Sequence, residues 1–167
     1  MKTLILVRHA KSDWSNEGIS DIDRPLNERG KKDAPEMAKR LRKKGIKIDR
    51  FISSPAKRAF RTARFFAEDF DVKKDDIQVE KSLYGATPRQ FEEVIASLTD
   101  KDDTIVIFSH NPGITEYANT LSTVHTDNIP TCGMFAVQAE VESWQAFTKA
   151  DKKFLFYDYP KNPLAAL

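Results

Sequence analysis

The chain has 167 residues, of which 40% are hydrophobic and 31% are charged, and its formal net charge at pH 7 is +2. This length suits one domain with one core, so we expect a single domain over residues 1–167 with a peripheral tail from about residue 160. Such a small and scattered positive excess argues against a nucleic-acid partner.

Two further features bear on the compartment in which the protein works. Cys132 is the only cysteine, which rules out a disulfide within the chain and favours a reducing compartment. The apolar run near the N-terminus is about five residues long, too short for a signal peptide or a membrane span. We therefore expect a cytoplasmic protein that has no membrane partner.

The pattern of apolar residues predicts alternating strands and helices. Continuous apolar, β-branched runs predict strands at residues 3–7, buried on both faces, and 104–108, and we expect further short strands at residues 50–53 and 77–80. Apolar residues at helical spacing predict helices at residues 27–44, 54–69, 87–98 and 112–121. Two alternating runs, residues 134–140 and 154–157, predict edge strands with one wetter face. This order predicts an α/β fold, a three-layer α/β/α sandwich with a mostly parallel central sheet.

Local signals mark the ends of these helices. Asn27 is the expected cap of the first helix, and Pro35 within that helix predicts a kink or a later start. Thr87 and Gln90 have the spacing of a capping box. Asn111 is expected to cap the helix that follows the fourth strand.

Polar side chains follow three of the predicted strands. Arg8 and His9 end the first strand, residues 53–58 (SSPAKR) follow the second, and residues 109–111 (SHN) follow the fourth. Ligands of open α/β sheets bind outside the carboxyl ends of the strands, so we expect these segments to meet in one cleft. The helices that begin beside them would turn the positive ends of their dipoles toward an anion.

Two histidines beside arginines suit the transfer of a phosphoryl group. A neutral His9 can present a ring nitrogen to phosphorus, while Arg8 and Arg58 hold phosphoryl oxygens in fork geometry. His110, if protonated, adds a donor to the charge that builds during transfer. The sequence has no Gly-rich NTPase loop, no CxxC pair and no carboxylate cluster beside the histidines, so we expect no metal and no other cofactor.

Four segments, in the right order, resemble motifs of the histidine phosphatase superfamily, also called phosphoglycerate mutase-like. Residues 8–12 (RHAKS) resemble its RHG/RHA motif, and residues 54–63 (SPAKRAFRTA) resemble SPxxRAxxTA. Residues 109–113 (SHNPG) are similar to its late histidine motif. Residues 23–30 (DRPLNERG) resemble the DRPLxxxG segment of its SixA-like branch, the phosphohistidine phosphatases.

The resemblance implies a role for each matching residue. His9 would be the nucleophile that becomes phosphohistidine, and Arg8, Arg58 and His110 would bind the phosphoryl group. Arg24 would be a further phosphate contact typical of the SixA-like branch. The family uses no metal for this chemistry. Beside the resemblance, the hydroxyl of Ser12 in the loop after the first strand is a candidate phosphate contact.

One departure from the family bears on the substrate. Larger members carry a glutamate general acid after the third strand, whereas residues 83–87 here read LYGAT and contain no glutamate. General acid catalysis contributes on the order of a hundred- to ten-thousand-fold, so an alkyl phosphate, whose alkoxide leaves poorly, is disfavoured. A phosphoramidate is less affected, because its nitrogen leaves well once it is protonated. Tyr84, a nearby carboxylate or water remain open as the proton donor.

These observations favour a phosphatase that works through His9 on a phosphohistidine-bearing protein. With an ordinary pKa near 6.5, His9 should lose its activity in acid. Two alternatives stay open: a general phosphomonoesterase for a small phosphorylated substrate, and a phosphate- or phosphoprotein-binding module without turnover. Asp13, Asp21, Asp23 and Glu80 are possible proton donors or mere loop charges, and we favour the second interpretation. We interpret His125 as a solvated histidine.

Overall fold

A computed structural model describes residues 1–166 of the protein, with six strands and five α-helices. The strands are β1 (Lys2–Arg8), β2 (Arg50–Ser53), β3 (Gln78–Val79), β4 (Thr104–Ser109), β5 (Met134–Ala139) and β6 (Lys153–Asp158). The helices are α1 (Glu28–Lys43), α2 (Lys57–Asp69), α3 (Pro88–Ala96), α4 (Gly113–Leu121) and α5 (Trp144–Lys149). Within this part of the chain, the helices are too short or too polar to cross a membrane.

The strands form one sheet in the order β3-β2-β4-β1-β5-β6. The first four of these strands run parallel, β5 runs antiparallel to β1, and β6 runs antiparallel to β5. The predicted mostly parallel sheet is therefore confirmed. It places the carboxyl ends of β1, β2 and β4 at one edge.

Both faces of the sheet are covered, so the predicted three-layer sandwich is confirmed. Side chains of α1 and α2 pack on one face, around Val7, Val106 and Phe108. Side chains of α3, α4 and α5 pack on the other face, around Leu6 and Ile107. The alternation of side chains along each strand divides the apolar residues between these two cores.

The prediction of an edge strand at residues 134–140 was wrong. β5 lies between β1 and β6, and all its side chains except that of Gln138 are buried. Its apparent alternation comes from that one polar residue, whereas Phe135 and Ala136 enter opposite cores. β6 is an edge strand, as predicted, and its side chains are mostly half-buried, while β3 forms the other edge.

Helix ends follow their local signals, with two exceptions. The Asn27 side chain accepts from the Gly30 amide at 2.8 Å, and Thr87 with Gln90 forms the predicted capping box. α1 runs from Glu28 through Pro35 without interruption, so the prediction of a later helix start was wrong. Asn111 was also misassigned as a cap, because α4 begins after Pro112 without a side-chain cap.

The C-terminal part of the chain holds one helix that periodicity did not reveal. α5 is only six residues long and buries Trp144 and Phe147, a spacing too short to establish a helical face. The segment Pro163–Ala166 forms a 3₁₀ turn with Leu164 exposed. Residue 167, the end of the expected peripheral tail, lies outside the described residues.

Candidate active site

His9 stands at the carboxyl end of β1 and is held there by backbone contacts. Its amide donates to the Ser109 carbonyl at 3.1 Å, which ties the end of β1 to the end of β4. Its ring Nδ1 lies 2.7 Å from the Ala10 carbonyl. A carbonyl only accepts, so Nδ1 carries the proton and Nε2 is left with a free lone pair. The ring is therefore oriented as a nucleophile.

The surroundings of His9 keep its ring uncharged. Burial lowers its pKa to about 3, and the neighbouring His110, Arg58 and Arg8 act in the same direction, while the Ala10 carbonyl opposes them. A charged ring would lose hydration and face positive neighbours. His9 is thus neutral at physiological pH, and its acid titration lies well below the ordinary value of 6.5.

His110, at the end of β4, lies beside His9 with its ring centroid 5.1 Å away. Its Nε2 is 2.7 Å from the Ser54 hydroxyl, which also accepts from the Ala56 amide. The hydroxyl proton is free to point at Nε2, which leaves the proton of His110 on Nδ1. Burial, and then Arg58, lower the pKa of His110 to about 4. The structure therefore favours a neutral His110 over the protonated one considered from the sequence.

Three arginines surround the two histidines. Arg58 is buried in the first turn of α2, and Arg8 donates to the Ile129 carbonyl at 3.0 Å. Arg24 donates to the buried Ser12 hydroxyl, and its guanidinium carbon lies 3.6 Å from the centroid of the Trp14 ring. The arginines expected from separate segments of the sequence thus meet in one cleft, but Ser12 faces Arg24 rather than open solvent.

Several N–H groups in this cleft have no acceptor. Among the described residues, five buried side-chain N or O atoms lack a hydrogen-bond partner, and four of them belong to the cleft. They are Nε of Arg8, Arg24 and Arg58 and Nδ1 of His110. Unpartnered buried donors are rare in folded proteins and costly when nothing binds them. Their concentration here marks a site for an anion with several oxygens.

Asp21 is not a mere loop charge, although its side chain remains 50% exposed. Its carboxylate accepts from Arg24 at 2.9 Å, from Arg58 at 3.0 Å and from the Tyr84 hydroxyl at 2.6 Å. Tyr84 and then Arg24 and Arg58 hold the pKa of this carboxyl well below its usual range. The same contact raises the pKa of Tyr84, whose ring packs edge-on against His110 at 5.6 Å.

The other loop charges agree with their interpretation. Asp13 accepts from the Ser15 amide, Asp23 accepts from the Ser20 hydroxyl, and Glu80 accepts from Gln78. His125 is exposed and lies 3.4 Å from Asp127. Among the residues that the structure describes, no three His, Cys, Asp or Glu side chains are grouped closely enough to hold a metal ion.

Thr62 is a further residue of the site that sequence reasoning passed over. Its hydroxyl accepts from the Ala10 amide at 2.9 Å and donates to the Arg58 carbonyl at 2.8 Å. It thereby joins the segment that carries His9 to the helix that carries Arg58. Thr62 lies inside the segment that resembles SPxxRAxxTA. That position in the motif was the only sequence signal that Thr62 belongs to the site.

Known proteins resemble the chain over most of its length. The family model of the histidine phosphatase superfamily (branch 1) matches residues 4–94. A chloroplastic protein of Arabidopsis thaliana, uncharacterised, is 30% identical over 152 residues, which cover 86% of this chain and 69% of that protein. A 2,3-bisphosphoglycerate-dependent phosphoglycerate mutase of Thermoplasma acidophilum is 43% identical over 98 residues, or 56% of this chain and 48% of the mutase. The chain thus spans only about half the length of the mutase.

Solved structures share the fold. SixA from Agrobacterium tumefaciens has a TM-score of 0.80 at 22% identity, over 95% of this chain and 98% of that one. The protein histidine phosphatase SixA complexed with tungstate has a TM-score of 0.79 at 19% identity, over 95% and 97%. At such identities the likeness establishes the architecture alone. The match to the family model over more than half of the chain goes further: this protein belongs to the histidine phosphatase superfamily, branch 1.

Proposed function

We propose that the protein is a metal-independent phosphatase that removes the phosphoryl group from phosphohistidine in a partner protein and works as a single domain. The observation that carries the proposal is the set of four unpartnered donors around a neutral His9. Three guanidinium groups and the Nδ1–H of His110 suit the oxygens of a phosphoryl group. The free Nε2 of His9 suits attack on phosphorus.

The reaction would proceed in two displacements on phosphorus. In the first, Nε2 of His9 forms a bond to phosphorus while the bond to the nitrogen of the substrate breaks. In the second, water attacks the phosphohistidine and restores neutral His9. Arg8, Arg58 and His110 bind the oxygens throughout, and Arg24 adds a contact from the β1–α1 loop. Positioning and electrostatics supply most of the catalysis in such transfers.

An apolar rim on the two segments that bring Arg24 and Tyr84 to the site favours a protein substrate over a small one. We define the rim as the exposed apolar or aromatic residues of the β1–α1 loop and of the segment before α3, which are Trp14, Ile19, Ile22 and Tyr84. Exposed apolar groups gathered around a polar site are typical of protein interaction surfaces. The lack of a glutamate in residues 83–87, where larger family members carry their general acid, and the similarity to SixA structures support phosphohistidine as the group attacked.

The proposal is tested by phosphate release from a phosphohistidine-bearing phosphotransfer domain and from a simple alkyl phosphate, with a chelator present. His9→Ala is the test variant, and His125→Ala, which removes an exposed histidine, is the matched control. We expect the wild-type protein and His125→Ala to release phosphate from the phosphoprotein, and His9→Ala to release none. Equal release by His9→Ala would remove His9 from the mechanism.

A general phosphomonoesterase is the second candidate, favoured by the 43% identity to a phosphoglycerate mutase over 98 residues. Faster release from the alkyl phosphate than from the phosphoprotein would support it. Labelled phosphate that stays on His9 without release would instead support a binding module.

A further inference from the structure

A carboxylate of the protein itself occupies part of the anion site. Asp21 bridges Arg24 and Arg58, which are two of the three guanidinium groups with an unpartnered Nε. The main-chain carbonyl of Asp21 accepts a further bond from Arg58 at 2.6 Å. A carboxylate and a phosphoryl group present similar oxygens to a guanidinium fork. A substrate that takes these two arginines must therefore displace the Asp21 carboxylate or share them with it.

The order of side chains across the cleft places Asp21 away from the nucleophile. The His9 ring packs on His110, His110 packs on the Tyr84 ring, and the Tyr84 hydroxyl donates to Asp21. A phosphoryl group between these ends faces His9 on one side. In-line transfer requires the leaving group on the side of phosphorus opposite His9, and the rings of His110 and Tyr84 separate Asp21 from His9.

The charge of the substrate would alter the protonation of this carboxylate. The groups that face Asp21 are Arg24, Arg58 and the Tyr84 hydroxyl, with His110 behind Tyr84. In the ligand-free protein these groups favour the ionised carboxylate. A phosphoryl dianion neutralises the two arginines and adds a like charge beside Asp21, and both changes favour the protonated acid.

We propose that Asp21 is the proton donor to the leaving group, held on the arginines until the phosphoryl group of the substrate displaces it. The proposal rests on the phosphatase reaction proposed above. Asp21 would then act as the general acid in place of the glutamate that residues 83–87 lack, and it would be a catalytic residue.

The proton is balanced over the two displacements. Asp21 takes a proton from solvent when the phosphoryl group displaces it from the arginines, and it returns one to solvent when it pairs with them again. In the first displacement, the protonated Asp21 gives its proton to the departing imidazole nitrogen of the substrate as the P–N bond breaks and the bond between phosphorus and His9 Nε2 forms. In the second, the Asp21 carboxylate takes a proton from the attacking water as the bond from phosphorus to His9 breaks. Inorganic phosphate leaves, and Asp21 is protonated again until it returns to the arginines.

The first test measures anion binding without turnover, by calorimetric titration with inorganic phosphate. Asp21→Asn removes the competing charge, so we expect tighter phosphate binding, by about tenfold or more. The matched control is Asp23→Asn, a neighbouring loop carboxylate that contacts Ser20 and neither arginine. Unchanged or weaker binding by Asp21→Asn would mean that Asp21 does not yield its place to phosphate, and would overturn the proposal.

The second test compares two substrates that differ in their leaving group. It separates proton donation by Asp21 from the competition of Asp21 with phosphate for the arginines. Phosphoimidazole in alkaline buffer needs a proton on its departing nitrogen, whereas N-methylated phosphoimidazolium leaves as a neutral ring without one. We expect Asp21→Asn to lose on the order of a hundredfold in kcat/KM on the first substrate and little on the second. Equal effects on both substrates, or the selective loss in Tyr84→Phe instead, would overturn the proposal.

The two proposals fail in different ways. If neither substrate is cleaved by the wild-type protein, the phosphatase function fails, and with it the acid role that rests on it. If both are cleaved with His9 required but Asp21→Asn shows no selective loss, only the role of Asp21 fails.

Discussion

His9 and His110 are buried, uncharged and next to each other. Protonation of either ring would therefore cost free energy. Arg8 and Arg58 disfavour a charge on both rings, whereas Asp21 favours one on His110. Among the described residues, no carboxylate forms a hydrogen bond with either ring. The site therefore combines a high density of positive charge with a histidine, His9, that stays neutral. Such a combination suits attack on a dianion.

The neutral histidines make stability depend on pH. The unfolded-state value is near 6.5, and the folded-state pKa is about 3 for His9 and about 4 for His110. Between these limits the unfolded chain binds more protons than the folded one, so the free energy of unfolding falls as the pH falls. Each buried histidine adds a slope of up to about 1.4 kcal/mol per pH unit.

This prediction is checked by urea unfolding from about pH 7 to about pH 4. We expect His9→Asn to show a shallower loss of stability in acid than the wild-type protein, since it lacks one group that gains a proton on unfolding. His125→Asn removes an exposed histidine and should keep the wild-type slope. Parallel curves for His9→Asn and the wild type would contradict the prediction.

At the scale of elements, the site depends on close contacts between backbones. A Cβ added at Gly113, the first residue of α4, would overlap the Ala86 carbonyl oxygen. This close approach sets the start of α4 against the segment that carries Tyr84, just after the strand that carries His110. Glycine is required at Gly113 for lack of space and not for its backbone conformation.

Gly113→Ala is therefore expected to lower the free energy of unfolding by about 1–3 kcal/mol, the usual cost of overpacking a buried contact. Denaturant unfolding measures this directly. Gly18→Ala is the control, because the nearest neighbour of its added Cβ is the flexible side chain of Asn16 at 3.3 Å. Equal loss in the two variants would show that the Ala86 contact is easily relaxed.

At the scale of the whole molecule, the apolar rim extends the site beyond the phosphoryl group. The loop between β1 and α1 supplies most of the rim and also supplies Asp21 and Arg24. Trp14 covers the Arg24 guanidinium, while Ile19 is an exposed residue of the same loop. A protein substrate would bury this rim on docking.

We expect Ile19→Ser and Trp14→Ala to raise KM for a phosphohistidine-bearing protein by about tenfold, since each removes apolar area that docking would bury. For Ile19→Ser, KM for phosphoimidazole should be unchanged, because that substrate does not reach the rim. Leu164→Ser, which alters an exposed apolar residue of the C-terminal segment, is the control. An equal rise in KM for the small substrate would contradict a docking role.

Much of the fold follows from patterns that are local in the sequence. Buried strands, amphipathic helix faces and caps such as Asn27 depend on neighbours a few residues away, and they were predicted correctly. The convergence of His9, Arg58 and His110 also followed, because parallel strands end at one edge. The positions of β5 and α5 were harder to predict. The single polar residue of β5 imitates the alternation of an edge strand, and α5 is too short to show a helical period.

The amino-acid sequence by itself determined the family, the nucleophile candidate and the arginines that would meet it, since these are carried by motifs and strand ends. Only the tertiary structure decided which ring nitrogen of His9 is free, that both histidines are neutral, and which loop carboxylate enters the site. Asp21 meets Arg58 across 37 residues of chain. Desolvation and such long-range contacts arise from the closed fold, and no local pattern distinguishes Asp21 from Asp23.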